Sequence, residues 1–166
     1  MKKALKFAGI VACVLALVAF ILLMATVGFY AKSGSLRVDT EGIKVLFGEK
    51  GNYVDTKLAW SGLLAWIFII LAMIILALGF ILPLVKVKAL DKYAGILNLV
   101  AVALLVVAGI FIFISPAVFN SANGGDSDSL KYAHLGEGWI VAGILAILGG
   151  AVAICPAVVD FIGKKK

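Results

Sequence analysis

The residues whose types could do chemistry are few and scattered. The chain has one histidine, His134, and two cysteines, Cys13 and Cys155. His134 and Glu137 are three apart, a spacing that places two side chains on one face of a helix. No serine, cysteine or second carboxylate stands where it would complete a triad or dyad, so the pair reads as the solvated start of a helix. Neither cysteine belongs to a C-x-x-C or to a His/Asp/Glu cluster, which argues against a thiol oxidoreductase and against a metal site and leaves two small apolar packing residues. Asp126-x-Asp128 lacks the closing bidentate glutamate of a calcium loop. No glycine-rich phosphate loop occurs. These residues imply a non-enzymatic protein with no cofactor and no metal.

The elements that would position such groups are dictated by composition. Of 166 residues, 64% are hydrophobic and 14% charged, and the mean hydropathy is +1.17, well outside the range of soluble domains. The apolar residues form long uncharged blocks, each of at least the ~20 residues that a helix needs to cross a bilayer. The expected fold is an all-α membrane protein, a four-helix transmembrane bundle with spans at 7–30, 58–85, 93–117 and 136–160, forming one membrane domain. Between them fall an outer loop at 31–57, a turn at 86–92 and a second outer loop at 118–135, and a basic tail at 161–166 closes the chain. The first apolar run is too long for a cleaved signal. Ile10-Val11-Ala12-Cys13 has the form of a lipobox, but more membrane span follows it instead of a polar tether.

Charge sets the expected orientation. Lys2, Lys3, Lys6, Lys86, Lys88, Lys92, Lys164, Lys165 and Lys166 fall on one side of this layout with only Asp91 and Asp160, whereas the other side is near neutral. The positive-inside rule puts both termini and the turn in the cytoplasm, in a multi-pass protein of the plasma membrane. The basic clusters need only topogenesis and attraction to anionic lipid, not nucleic acid. The expected partners are the lipid bilayer and either a protein partner or further copies of this chain.

Two matched segments suggest tandem hairpins. Lys6-Phe7-Ala8-Gly9-Ile10 matches Lys92-Tyr93-Ala94-Gly95-Ile96, and Trp66-Ile67 precedes Pro83 by the same interval as Trp139-Ile140 precedes Pro156. Pro83, Pro116 and Pro156 are expected in or beyond the last turn of their helices. Gly138, Ala142, Ala146 and Gly150 make a small-residue stripe suited to close helix packing, and Ala65-Ala72-Gly79 and Ala94-Ala101-Ala108 make weaker ones. Asn98 is the one amide well inside a span and reads as a helix-packing group. Trp60, Trp66 and Trp139 read as interfacial anchors.

By elimination, function is expected in the first outer loop. Leu36-Arg37-Val38-Asp39 and Ile43-Lys44-Val45-Leu46-Phe47 flank Thr40-Glu41-Gly42 as a β-hairpin, with Tyr53-Val54 a third short strand. Leu36, Val38, Ile43, Val45, Phe47 and Tyr53 would form the contact surface. The alternative is a cap, with Val45 and Phe47 packed on the helix ends. Asn120 to Ser129 reads as a flexible polar tether. The layout resembles tetraspan proteins with a β-bearing first outer loop, such as claudins. The claudin pattern of Trp, Gly-Leu-Trp and two cysteines in that loop is missing, so the resemblance carries no residue and no function. The expected function is that of an assembly, accessory or interaction component, and the competing one a passive pore of oligomerised bundles.

Overall fold

Among the described residues, four helices are long and apolar enough to cross a membrane, as expected of a multi-pass membrane protein. The computed structural model describes residues 2–33, 36–50, 56–85, 94–123 and 133–162. In chain order these are α1 (Lys2–Ala25), β1 (Val27–Ser33), β2 (Leu36–Glu41), α2 (Gly42–Phe47), α3 (Trp60–Val85), α4 (Ala94–Asn123), β3 (His134–Leu135) and α5 (Glu137–Ile162). The turn at 86–92, Tyr53 with the expected third strand, and Asp126 and Asp128 lie outside the described residues.

Each long helix packs on two others: α1 on α3 and α5, and α4 on α3 and α5. The interior is lined by small side chains at helical spacing. Ala12, Ala16 and Ala19 on α1, Ala65 and Ala72 on α3, Ala101 and Ala108 on α4, and Ala142, Ala146 and Ala153 on α5 are fully buried. Large side chains such as Ile21, Ile74, Ile110 and Ile144 point outward and are about half exposed. This inverts the soluble pattern for a physical reason. Lipid is as apolar as leucine, so helices gain by close backbone approach and not by hiding large side chains.

The strands differ from the expected hairpin. β1 pairs antiparallel with β2, and β1 pairs antiparallel with β3, giving the order β2-β1-β3. The first span was expected to run to Tyr30, but the helix ends at Ala25 and the chain becomes a strand at Val27. Residues 43–47, expected as a strand, are helical. Ile43 and Phe47 lie one turn apart on the exposed side while Val45 and Leu46 are buried, a 3.6-residue pattern that the alternation of Ile43, Val45 and Phe47 mimics over so short a run. Gly48 ends α2 with a φ of 75° and a ψ of 164°, a positive-φ backbone that glycine takes readily.

Two prolines also depart from expectation. α4 continues from Pro116 to Asn123, and α5 from Pro156 to Ile162. Pro116 deprives the Ile112 carbonyl of its helical donor. Beside it, the Ser115 hydroxyl donates to the Phe111 carbonyl at 2.6 Å and lies 2.9 Å from the Ser61 hydroxyl of α3. With the Ser115 proton committed to Phe111, Ser61 is the donor between the two hydroxyls.

Candidate interaction face

The sheet sits where α1 ends, α3 begins, α4 ends and α5 begins, and three kinds of fastening hold it there. The first is an aromatic plug. Phe29, Phe119 and Trp139 are fully buried, with the Phe29 ring 4.6 Å from Phe119 and 5.3 Å from Trp139. Trp139 is therefore a core residue and not an interfacial anchor. Its indole Nε1 donates to the Leu23 carbonyl at 3.0 Å, a carbonyl in the last turn of α1 that has no helical partner of its own. Backbone must come close to admit so large a ring. A Cβ at Gly42 would lie 2.9 Å from Trp139 Nε1, and one at Gly62 would lie 2.8 Å from its Cη2. The Trp139 ring thus requires glycine at 62, whereas at 42 a Cβ would strike the Leu23 carbonyl even before the ring.

The second fastening is a pair of asparagine clamps at the end of α4. Asn123 accepts from the Lys57 backbone N–H at 2.7 Å and donates to the Lys57 carbonyl at 3.1 Å and the Phe119 carbonyl at 3.0 Å. Asn120 accepts from the Ala133 N–H at 3.0 Å and donates to its carbonyl at 3.2 Å. Each side-chain amide pairs with both backbone groups of one residue, as a neighbouring strand would. The expected tether from Asn120 to Ser129 is corrected here: its first four residues are helical and hold the segments that lead into α3 and β3. The third fastening is backbone. Gly42 N–H donates to the Thr26 carbonyl at 2.8 Å, Ala59 N–H to the Val45 carbonyl at 2.9 Å, and Gly136 N–H to the Gly28 carbonyl at 2.7 Å.

On this base the strands alternate. Phe29, Ala31 and the paired Leu135 share the inner side, and Tyr30 and Lys32 share the outer side with their cross-strand partners Asp39, Arg37 and His134. Tyr30 is the centre of that outer face. The Arg37 guanidinium stands 4.5 Å from its ring centroid, the Lys32 ammonium 5.8 Å and the His134 ring 5.5 Å. Arg37 Nε donates to Asp39 at 2.6 Å. That hydrogen bond, with the charges of Asp39 and Glu137 adding to it, raises the Arg37 pKa above its ordinary value. Lys44, held by Glu49 and Glu41, is likewise raised. Among the described residues no three His, Cys, Asp or Glu side chains group to hold a metal. The arrangement can recognise a surface by charge, hydrogen bonding and stacking.

The residues expected to act together are split by the fold. Val38, Ile43 and Phe47 are exposed, but Val45 is fully buried against the base of the sheet and leaves the contact surface. Leu36 opens β2. His134 lies in β3 and Glu137 is the first residue of α5, so the two do not share a helix face. The small-residue stripe divides between neighbours. A Cβ at Gly138 would strike Thr26 at the end of α1, whereas one at Gly150 would lie 3.0 Å from Val106 of α4. Asn98 is nearly buried on the α4 side facing α3, its Oδ1 3.1 Å from where a Gly79 Cβ would stand. Trp66 stacks on Phe20 and meets Phe47 edge-on, whereas Trp139 sits under the sheet, so the two tryptophans of the sequence match have different surroundings. The outer face of Tyr30, Lys32, Arg37, Asp39 and His134 was not anticipated. Its signal lay in the alternation Phe29-Tyr30-Ala31-Lys32, hidden because it follows an apolar span without a break.

No protein-family model and no curated protein matches the chain.

Proposed function

We propose that the chain is a non-enzymatic component of the plasma membrane that acts in assembly or as an accessory to a protein partner, through the outer face of its three-stranded sheet. The observation that supports this reading is a polar face on a well-packed base: Tyr30 ringed by Lys32, Arg37, Asp39 and His134, above a fully buried aromatic plug. In this reading the four long helices form a transmembrane bundle of two out-and-back hairpins. The lysine-rich termini and the 86–92 turn are cytoplasmic, and the sheet stands outside. A pore would need a path, and the described interior is filled by Ile69, Leu105, Ile112 and the alanines between them. Conduction would then have to run between copies.

The test has two parts. Single cysteines at Lys50, Ser127 and Lys165 should label with an impermeant thiol reagent from outside, outside and inside respectively. External labelling at Lys165 would sink the orientation. A photo-crosslinker at Lys32 should then capture a distinct protein in native membranes, and Arg37→Glu should abolish that capture without changing thermal stability. Capture of only the same chain, together with ion conductance in liposomes, would favour the oligomeric pore.

A further inference from the structure

Among the described residues, α2 exposes two large apolar side chains, Ile43 and Phe47, on one side, at the level where the long helices leave their apolar stretch. The candidate spans end at this side of the molecule at Ala25, Trp60, Asn123 and Glu137. α2 is fastened at that level. Gly42 bonds to the Thr26 carbonyl, the Val45 carbonyl accepts from Ala59, and the Phe47 ring lies 5.7 Å from Trp66. Trp66 in turn stacks on Phe20 at 5.6 Å, so α2 lies over the seam between α1 and α3, which make the least extensive of the four long-helix contacts.

The exposed surface of α2 has two sides. Ile43 and Phe47, one turn apart, are 43% and 51% exposed. Lys44, between them in sequence, points elsewhere and is paired with Glu41 and Glu49. Leu58 and Trp60, 41% and 51% exposed, stand just before and at the start of α3, whose outside carries the exposed Ile67, Leu71 and Ile74. Large apolar side chains held open to water cost free energy, and a contiguous patch of them marks an interaction surface. Here Phe47 meets Trp66, which lies within a candidate span, and these are aromatic rings of the kind that gather at the bilayer boundary.

We propose that α2 is an interfacial helix: Ile43 and Phe47 enter the boundary between lipid headgroups and acyl chains beside Trp66, so that the outer leaflet, not a protein, covers this side of the loop. The inference rests on the transmembrane reading above. It divides the first loop into a lipid-facing side, Ile43 and Phe47, and a water-facing side, Tyr30, Arg37 and Asp39. Lipid contact at the foot of the sheet would set the height and tilt of the recognition face relative to the membrane.

The experiment uses the full chain with Cys13 and Cys155 replaced by alanine, in nanodiscs of phosphatidylcholine. A nitroxide is attached at one cysteine at a time, at positions 43, 47, 39 and 74, and relaxation by oxygen, which concentrates in lipid, is compared with relaxation by a water-soluble nickel chelate. Positions 43 and 47 should be several-fold less accessible to the chelate than position 39, and open to oxygen like position 74. If 43 and 47 match 39, the helix faces water and the proposal is overturned. If they are shielded from both reagents, a protein surface covers them and the proposal is overturned in favour of a second copy. If position 74 itself is open to the chelate, the transmembrane reading fails and takes this inference with it. The paired positions 43 and 47 guard against local disruption at either one, since both must behave alike.

Discussion

The two ends of the buried interior follow opposite rules. Midway along the helices the interior is built largely of alanines, among them Ala16, Ala72, Ala108 and Ala146, around a few large residues such as Ile69, Leu105 and Ile112, and many other large side chains turn outward. At the sheet the interior consists of Trp139, Phe29 and Phe119, with polar side chains clamping backbone around them. The difference follows the solvent. Where lipid surrounds the helices, backbone groups away from the prolines are already paired within their own helix and association depends on close approach. Where the chain leaves the helices, loop backbone needs partners and large apolar surface gains by leaving water, so aromatic burial and asparagine clamps take over.

Breaking the plug should have the largest effect. Trp139→Ala should cost about 3–5 kcal/mol, the range for emptying a buried aromatic site, while Trp139→Phe should cost about 1–3 kcal/mol by orphaning the Leu23 carbonyl and keeping most of the packing. Thermal unfolding in detergent measures both. Equal losses for the two would mean that the hydrogen bond and not the volume holds this end together.

Next come one substitution at each end with similar expected costs. Ala146→Leu should cost about 1–3 kcal/mol by overpacking the alanine-lined interior, and more than Leu145→Ala on the neighbouring, partly exposed position. Asn123→Ala should also cost about 1–3 kcal/mol, since it strips partners from Lys57 and Phe119 backbone groups. Amide exchange separates them. Asn123→Ala should speed exchange at Lys57 and leave mid-helix amides protected, and a uniform increase would show that the two ends unfold as one unit.

Smaller still is Ser61→Ala. An interhelical hydrogen bond in a membrane protein averages about 0.6 kcal/mol, and a loss well above that would place Ser61 and Ser115 under the rules of the sheet end. Arg37→Ala, on an exposed ion pair, should leave the melting temperature unchanged within error. Its effect should appear only in partner crosslinking. A shift in melting temperature would instead tie the outer face to the plug beneath it.

The same comparison explains which parts of the molecule can be read without coordinates. The four long helices are legible because twenty uncharged residues in a row constitute a local signal that needs no partner. The strand at 27–33 is not legible, because Val27, Phe29 and Tyr30 continue the hydropathy of α1 without interruption. α2 is misread as a strand because six residues carry too few repeats to separate a period of two from one of 3.6.

Sequence alone determined the membrane-spanning character, the number of long apolar helices, the charge asymmetry and the small residues that let helices meet, since each follows from composition along a contiguous stretch. Only tertiary structure decided that Trp139 is a plug and not an anchor, that Asn120 and Asn123 are clamps and not tether, and that Tyr30 gathers Arg37, Asp39 and His134 around it. Those facts depend on pairings between residues as far apart as Leu23 and Trp139. A tryptophan or an asparagine carries the same side chain whether it meets water, lipid or a distant carbonyl, and only the fold supplies which.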